Sequence, residues 1–231
     1  MHPFAVARNK SSGGYSVDNS VRLNDDDSAY MAWTPSDAGS STTTMKLTMN
    51  VKRGNLGTNQ YLCGVTGGLF VIYFDTSDQL NWEIYDGGYS LRFITTQVFR
   101  DPTSWLLFEF EYDSFPATPG STDCKVILNG SQITDYGTET YPVQNDLCQW
   151  HAAVEHRIGA RVNATPYYTD GYLSYISSID GTSDDVTTET DNEGEQRPID
   201  VTGLTFGTNG FLLDFAVAPG TGNGAGTDVS G

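Results

Sequence analysis

Positive charge is what this sequence has least of: Lys and Arg number 12 against 29 Asp and Glu, a formal net charge of −17. Counterion-release binding to nucleic acid needs clustered Lys and Arg, and so does docking on anionic lipid headgroups, so both partner classes are disfavoured. The same balance gives a highly solvated surface that resists aggregation. Cysteine is also scarce. Cys63, Cys124 and Cys148 form an odd set without CxxC spacing, which signals neither a complete disulfide framework nor a zinc site. Cys63 and Cys124 stand in apolar, strand-like runs, where a thiol serves as a small hydrophobe, so buried reduced cysteine is the expectation. No long uncharged apolar run occurs, and Met1-His2-Pro3-Phe4-Ala5-Val6-Ala7-Arg8 lacks a sustained apolar segment. The expectation is a soluble chain with neither a secretion signal of its own nor a membrane insertion.

Charged stretches with a helical period are nearly absent, while aromatics make up 12% of the residues, including 13 Tyr and 11 Phe. That is an all-β composition. Its organising strand begins at Trp105: Leu106, Phe108, Phe110 and Tyr112 alternate with Leu107, Glu109 and Glu111, the pattern of a half-buried strand whose acidic side lines a solvated face. Further on, Cys124-Lys125-Val126-Ile127-Leu128 runs into Asn129-Gly130 and then Ser131-Gln132-Ile133. Both central positions of a two-residue hairpin turn need φ > 0, and Asn-Gly tolerates that best, so a hairpin is predicted here. The run 44–52 has the cleanest period of two, with Met45, Leu47, Met49 and Val51 against Lys46, Thr48, Asn50 and Lys52. Shorter strands are predicted over 17–23, 29–33, 61–65, 69–75, 80–86, 90–96, 150–159, 172–179 and 211–215, separated by Gly, Asn, Asp and Ser clusters. Turn signals at this spacing predict an antiparallel two-sheet β-sandwich of jelly-roll type. The length fits one such domain over 17–216, with an N-terminal arm over 1–16 able to pack on a neighbour and a flexible Gly-rich tail over 217–231. The acidic, Thr-rich stretch 182–200 has no apolar period and reads as a long loop.

Several ordered blocks resemble a known family, the laminin-G-like, concanavalin-A-like jelly-roll domains of bacteriophage virion proteins. They are Ser20-Val21-Arg22-Leu23-Asn24-Asp25-Asp26-Asp27-Ser28-Ala29-Tyr30, Val51-Lys52-Arg53-Gly54, Ile94-Thr95-Thr96-Gln97-Val98-Phe99-Arg100-Asp101-Pro102, Leu128-Asn129-Gly130-Ser131-Gln132, Asp170-Gly171-Tyr172-Leu173 and Phe206-Gly207-Thr208-Asn209-Gly210-Phe211. The resemblance implies a non-enzymatic component of the phage particle surface, as fibre, spike or capsid decoration, often a homo-oligomer, docking on capsid or tail proteins. Two departures stand out. Asn50 takes a position where the family often carries an aromatic, and the acidic 182–200 stretch replaces a more apolar connection.

Each candidate site also has a plainer role. Trp82, Tyr85, Tyr89, Tyr167 and Tyr168 lie in or beside predicted loops and are candidate glycan contacts, because a pyranose stacks its apolar face on a flat ring; their plainer role is rim or subunit packing. A carbohydrate-binding adhesion module is therefore the alternative function, touching a host polysaccharide. Glu109 and Glu111 are the basis of a third reading, glycoside hydrolysis, which needs a pair of carboxylates; the acidic strand does not match the Glu-x-Asp-x-x-Glu pattern of jelly-roll glucanases. Asp25, Asp26 and Asp27 are candidate calcium ligands, with Asp180, Asp184 and Asp185 as a second set, although neither matches an EF-hand loop. His151 and His156 have opposite strand parity, so shared metal ligation would need a bulge, and ordinary histidines are expected. Asn129-Gly130-Ser131 and Asn163-Ala164-Thr165 match the N-glycosylation pattern, which carries little weight without a secretion signal.

Overall fold

The computed structural model describes residues 15–162, 167–191, 193–217 and 224–230. In chain order its strands are β1 (Val21–Leu23), β2 (Met31–Trp33), β3 (Thr44–Arg53), β4 (Gln60–Val65), β5 (Phe70–Phe74), β6 (Gln79–Tyr85), β7 (Tyr89–Val98), β8 (Leu106–Asp113), β9 (Lys125–Leu128), β10 (Ser131–Gln132), β11 (Tyr136–Thr140), β12 (His156–Ile158), β13 (Gly171–Asp180), β14 (Thr188–Thr190), β15 (Gln196–Pro198) and β16 (Phe211–Leu213). The first large sheet has the order β1-β13-β3-β8-β9-β10, with β16 following β1 along the same edge of β13; the second has the order β11-β7-β6-β5-β4-β12-β2. The expected antiparallel jelly-roll sandwich is what forms.

Alternation decides which side chains meet between the sheets. Met45, Leu47, Met49 and Val51 of β3 and Phe108, Phe110 and Tyr112 of β8 are fully or almost fully buried against Phe70, Ile72, Phe74, Trp82, Ile84, Leu91 and Phe93 of the second sheet. The β9–β10 turn is as predicted, with Asn129 at φ 47° and Gly130 at φ 76°.

A second, smaller apolar cluster lies on the outer face of the first sheet. Tyr175, Ile179 and Leu212 there pack with Val201, Phe206, Ile199 and Leu204. The stretch expected to be a structureless loop thus supplies a cover, including the hairpin β14–β15. The chain end also returns to the sheet: Val229 joins this cluster, its N–H donating to Leu212 O at 2.9 Å. Residues 224–230 are therefore docked, where a flexible tail was expected. Most of the predicted N-terminal arm, residues 1–14, lies outside the described residues; Tyr15 packs edge-on against Tyr175 at 6.1 Å.

Strand prediction fails most clearly over 150–159. Residues 150–154 form a turn, with His151 at φ 81°, and only His156–Ile158 pair as a strand. β11, which pairs with β7, was not predicted either.

Candidate functional site

The acidic strand is the first candidate that the structure reassigns. Glu109 and Glu111 do point away from the core, but the face they line is covered and both are buried, at 5% and 8% exposure. Lys46, directly across from Glu111 on β3, reaches both carboxylates at 2.9 Å, and Lys125 closes on Glu111 at 2.8 Å. The Thr187 and Thr188 hydroxyls donate to Glu109 at 3.1 and 2.8 Å. Burial by itself would lower the Lys46 pKa; the two carboxylates outweigh it and hold the value above the ordinary lysine range. A general acid/base pair needs solvent and substrate at its oxygens, whereas these oxygens are committed to ammonium and hydroxyl partners under a hairpin. Glu109 therefore anchors the cover to the sheet while Glu111 is held by two lysines within it, and the glycosidase reading loses its basis.

The histidines form a buried structural knot. The His151 N–H donates to His156 Nε2 at 3.2 Å, His151 Nε2 bonds Ser178 Oγ at 2.7 Å, and the Trp150 indole N–H donates to the same hydroxyl at 2.9 Å. His156 Nδ1 bonds Val154 O at 2.6 Å. The turn at 150–154 brings the two rings together where strand parity had separated them. Asp180 lies 3.7 Å from His151 Nδ1 and accepts the N–H groups of Ser40, Ser41 and Asn209, so it does not converge with Asp184 and Asp185. Burial lowers the pKa of both His151 and His156 to about 4. An unfolded histidine titrates near pH 6.5. The unfolded chain thus takes up protons that the folded one refuses, and stability falls as pH drops from about 6.5 to about 4. Denaturant titrations at pH 7 and pH 4.5 are expected to differ by several kcal/mol, with up to roughly 3 kcal/mol from each histidine. His156→Gln is expected to flatten that slope.

Asp25, Asp26 and Asp27 occupy a turn, where Asp25 accepts from Asn55 at 3.0 Å and Asp27 from Asn24 at 2.8 Å. Among the described residues, the acidic side chains that bring three ligand atoms within 4.8 Å are instead Asp191, Glu193 and Glu195. There the Asp191 carboxylate is already used by the Glu193 and Glu195 N–H groups and by Arg197. All three cysteines are free and buried, as expected. Burial drives the thiol pKa values up, to about 12 for Cys124 and further for Cys63 and Cys148, so thiolate chemistry is suppressed.

The outer face of the second sheet is different in kind. Along β6, Leu80, Trp82 and Ile84 enter the core, so Asn81, Glu83 and Tyr85 face outward. Trp82 is 0% exposed and cannot contact a sugar, contrary to expectation. Its neighbour Tyr85 is 43% exposed and meets the equally exposed Tyr89 edge to face at 5.1 Å. Arg92 lies over the Tyr89 ring at 4.2 Å while donating through Nε to Glu83 at 3.0 Å. Next in the sheet, Tyr61 of β4 and Tyr73 of β5 are register partners with rings stacked at 4.5 Å. Tyr167 tilts against Tyr61 at 5.4 Å and Arg161 lies over it at 5.7 Å. At the far edge Tyr168 stacks on Tyr30 at 6.1 Å, and Arg157 sits 4.5 Å over Tyr30.

The structure thus places Tyr85, Tyr89, Tyr167 and Tyr168 on one face and adds Tyr30, Tyr61, Tyr73 and three arginines. Of these additions Tyr61, Tyr73, Arg92 and Arg157 sit in strands whose adjacency follows from pairing, while Tyr30 and Arg161 stand beside β2 and β12; outward parity is the one signal available for the strand residues. Burial raises the phenol pKa values of Tyr61 and Tyr73, and nearby Glu83 adds to both effects, so these hydroxyls stay protonated and can donate. The face combines apolar ring surface with hydroxyl and guanidinium donors, the set that recognises a polyhydroxylated ring.

No family model and no curated protein matches the chain. In fold it is similar to a putative carbohydrate binding protein from Bacteroides ovatus, at 12% identity and a TM-score of 0.53, covering 82% of this chain and 50% of that one. It is likewise similar to domains LG4-5 of the mouse laminin alpha1 chain, at 9% identity and a TM-score of 0.50, covering 81% and 46%. The chain spans about half the length of those two. In fold it is a jelly-roll β-sandwich of the kind found in laminin-G and carbohydrate-binding domains.

Proposed function

We propose that the protein is a non-catalytic carbohydrate-binding module that holds polysaccharide on the tyrosine face of its second sheet. The observation that carries this reading is the exposed Tyr85–Tyr89 pair with Arg92 and Glu83, continuing into Tyr73 and Tyr167, which are held in place by the buried Tyr61 ring between them. A row of rings with donors at their edges suits a chain of sugars, each presenting an apolar face and a rim of hydroxyls. The fold shared with a putative carbohydrate binding protein supports the reading. So does the commitment of Glu109 and Glu111 to ion pairs.

The expected result in affinity electrophoresis is retardation by at least one host-surface or cell-wall polysaccharide. Tyr85→Ala combined with Tyr89→Ala is expected to weaken that binding at least tenfold, while the thermal midpoint stays close to wild type because both rings are solvent-facing. Unchanged retardation in the double variant would remove the face from the account.

A second reading is a module on the surface of a bacteriophage particle, docked as a homo-oligomer on capsid or tail proteins. It rests on the ordered sequence blocks between Ser20 and Phe211 and is compatible with the first, since a particle can use a sugar-binding module to reach its host. Mass spectrometry of purified virions that detects no trace of this chain would defeat it.

A further inference from the structure

We infer a second ligand site, on the opposite side of the molecule, that takes a neutral oligosaccharide. It is a groove of about 520 Å³ on the outer face of the first sheet. Residues 15–20 form one wall and the β14–β15 hairpin region the other. The cover described above docks on Glu109, Thr48 and Tyr175, and the trough lies beside it, further along β3 at Asn50.

The floor is built with polar groups. Asn50 of β3 lies on the outward side of its strand, and the register shift between Leu173 and Tyr175 makes Ser174 an extra residue in β13. Such bulges re-aim a side chain, and here Asn50 Nδ2 donates to Ser174 Oγ at 2.8 Å, which leaves the serine proton for an acceptor above. Asn129, fixed in the hairpin turn, accepts the Leu107 N–H through Oδ1 at 3.0 Å, and among the described residues its NH2 group has no partner. Beside these amides stands Trp105, 38% exposed. An indole next to amides and hydroxyls is the pairing that stacks a pyranose and fixes its hydroxyls. Polar side chains make up most of the lining, with Tyr15, Val17, Leu107 and Pro198 as apolar members beside Trp105, a mixture that suits a sugar's apolar face and hydroxyl rim.

Charge narrows the class further. Asp18, Asp191 and Glu195 line the groove, and its cation, Arg197, is already paired with Asp191. With a formal net charge of −17 behind it, this surface disfavours uronates and sulfated sugars. The site is independent of the tyrosine face. An aromatic ring placed at Asn50 would occupy the trough.

The test is calorimetric titration of the full chain with a panel of neutral hexasaccharides (gluco-, manno-, galacto- and xylo-oligomers), a uronate oligomer and an oligolysine peptide. We expect one neutral class to bind and the uronate not to compete. Trp105→Ala, and separately Asn50→Phe as a plug, should each weaken that binding at least tenfold, with Tyr85→Ala/Tyr89→Ala leaving it within twofold. No neutral binding in wild type, binding of the lysine peptide alone, or affinity retained in both groove variants would overturn the inference. Loss of neutral binding only in the tyrosine variant would also overturn it, and would assign that ligand to the other face. Groove binding that persists in the tyrosine variant, together with unchanged polysaccharide retardation of that variant, would keep this inference and retire the tyrosine-face reading.

Discussion

Replacing Lys46 by Met is expected to lower stability by about 3–5 kcal/mol, the cost of leaving a buried carboxylate without its counter-charge. For a chain of this size that corresponds to a drop of roughly 6–20 °C in Tm. The physical reason is geometric: Lys46 Nζ alone bridges Glu109 and Glu111, each at 2.9 Å, from a site almost sealed from water. Glu111 keeps Lys125, but Glu109 would be left with two neutral threonine hydroxyls. Because those threonines belong to the cover, the same variant should open 182–200 to limited proteolysis before the sandwich unfolds. Lys125→Met, whose ammonium is partly exposed, should cost about 1 kcal/mol or less. Equal effects for the two lysines in urea unfolding would contradict the assignment of Glu109 as the anchor.

The second large effect is expected at Trp82. Truncation to Ala should cost about 3–5 kcal/mol, because the ring is wholly buried and packs edge to face with Phe70, Phe93, Phe110 and Tyr112, so its removal leaves a cavity between the sheets. Among the described residues its indole N–H has no hydrogen-bond partner, a standing cost that Trp82→Phe would remove, so the Phe variant should fall well short of the Ala loss. Differential scanning calorimetry of the two variants checks both statements. The contrast with Tyr85 and Tyr89 is the useful one. These three residues lie within one hairpin, yet changes at Trp82 should move stability and changes at the tyrosines should move binding.

How much of this was legible beforehand follows from which contacts are local. Alternation in β3 and β8 identified the inner faces of the first sheet, and Asn129-Gly130 identified its hairpin, because both signals rest on residues close in sequence. The same parity, applied to Leu80, Trp82 and Ile84, would have sent Trp82 inward; proximity to a predicted turn was the weaker guide. What could not be read was cover. Glu109 and Glu111 were placed on the correct side of their strand, but that side is dry because a Thr-rich segment some 80 residues later hydrogen-bonds to it. A segment that docks through hydroxyls has no apolar period to announce it. Likewise, the strand pattern over 150–159 gave way to a turn in which His151 adopts a left-handed backbone and its ring is held by Ser178 of a distant strand. The tyrosine face was legible in part: Tyr85, Tyr89, Tyr167 and Tyr168 were named, while Tyr30, Tyr61 and Tyr73 needed the strand order β6-β5-β4-β12-β2 to bring them alongside.

The measurement that bears most directly on the central claim is an NMR titration of protein carrying 13C-labelled tyrosine rings with the polysaccharide that retards it in affinity gels. The account predicts saturable shifts for Tyr85 and Tyr89, extending to Tyr73 or Tyr167 as the sugar chain lengthens, with the buried Tyr112 and Tyr175 rings unmoved. Saturable binding that leaves Tyr85 and Tyr89 unshifted would contradict it.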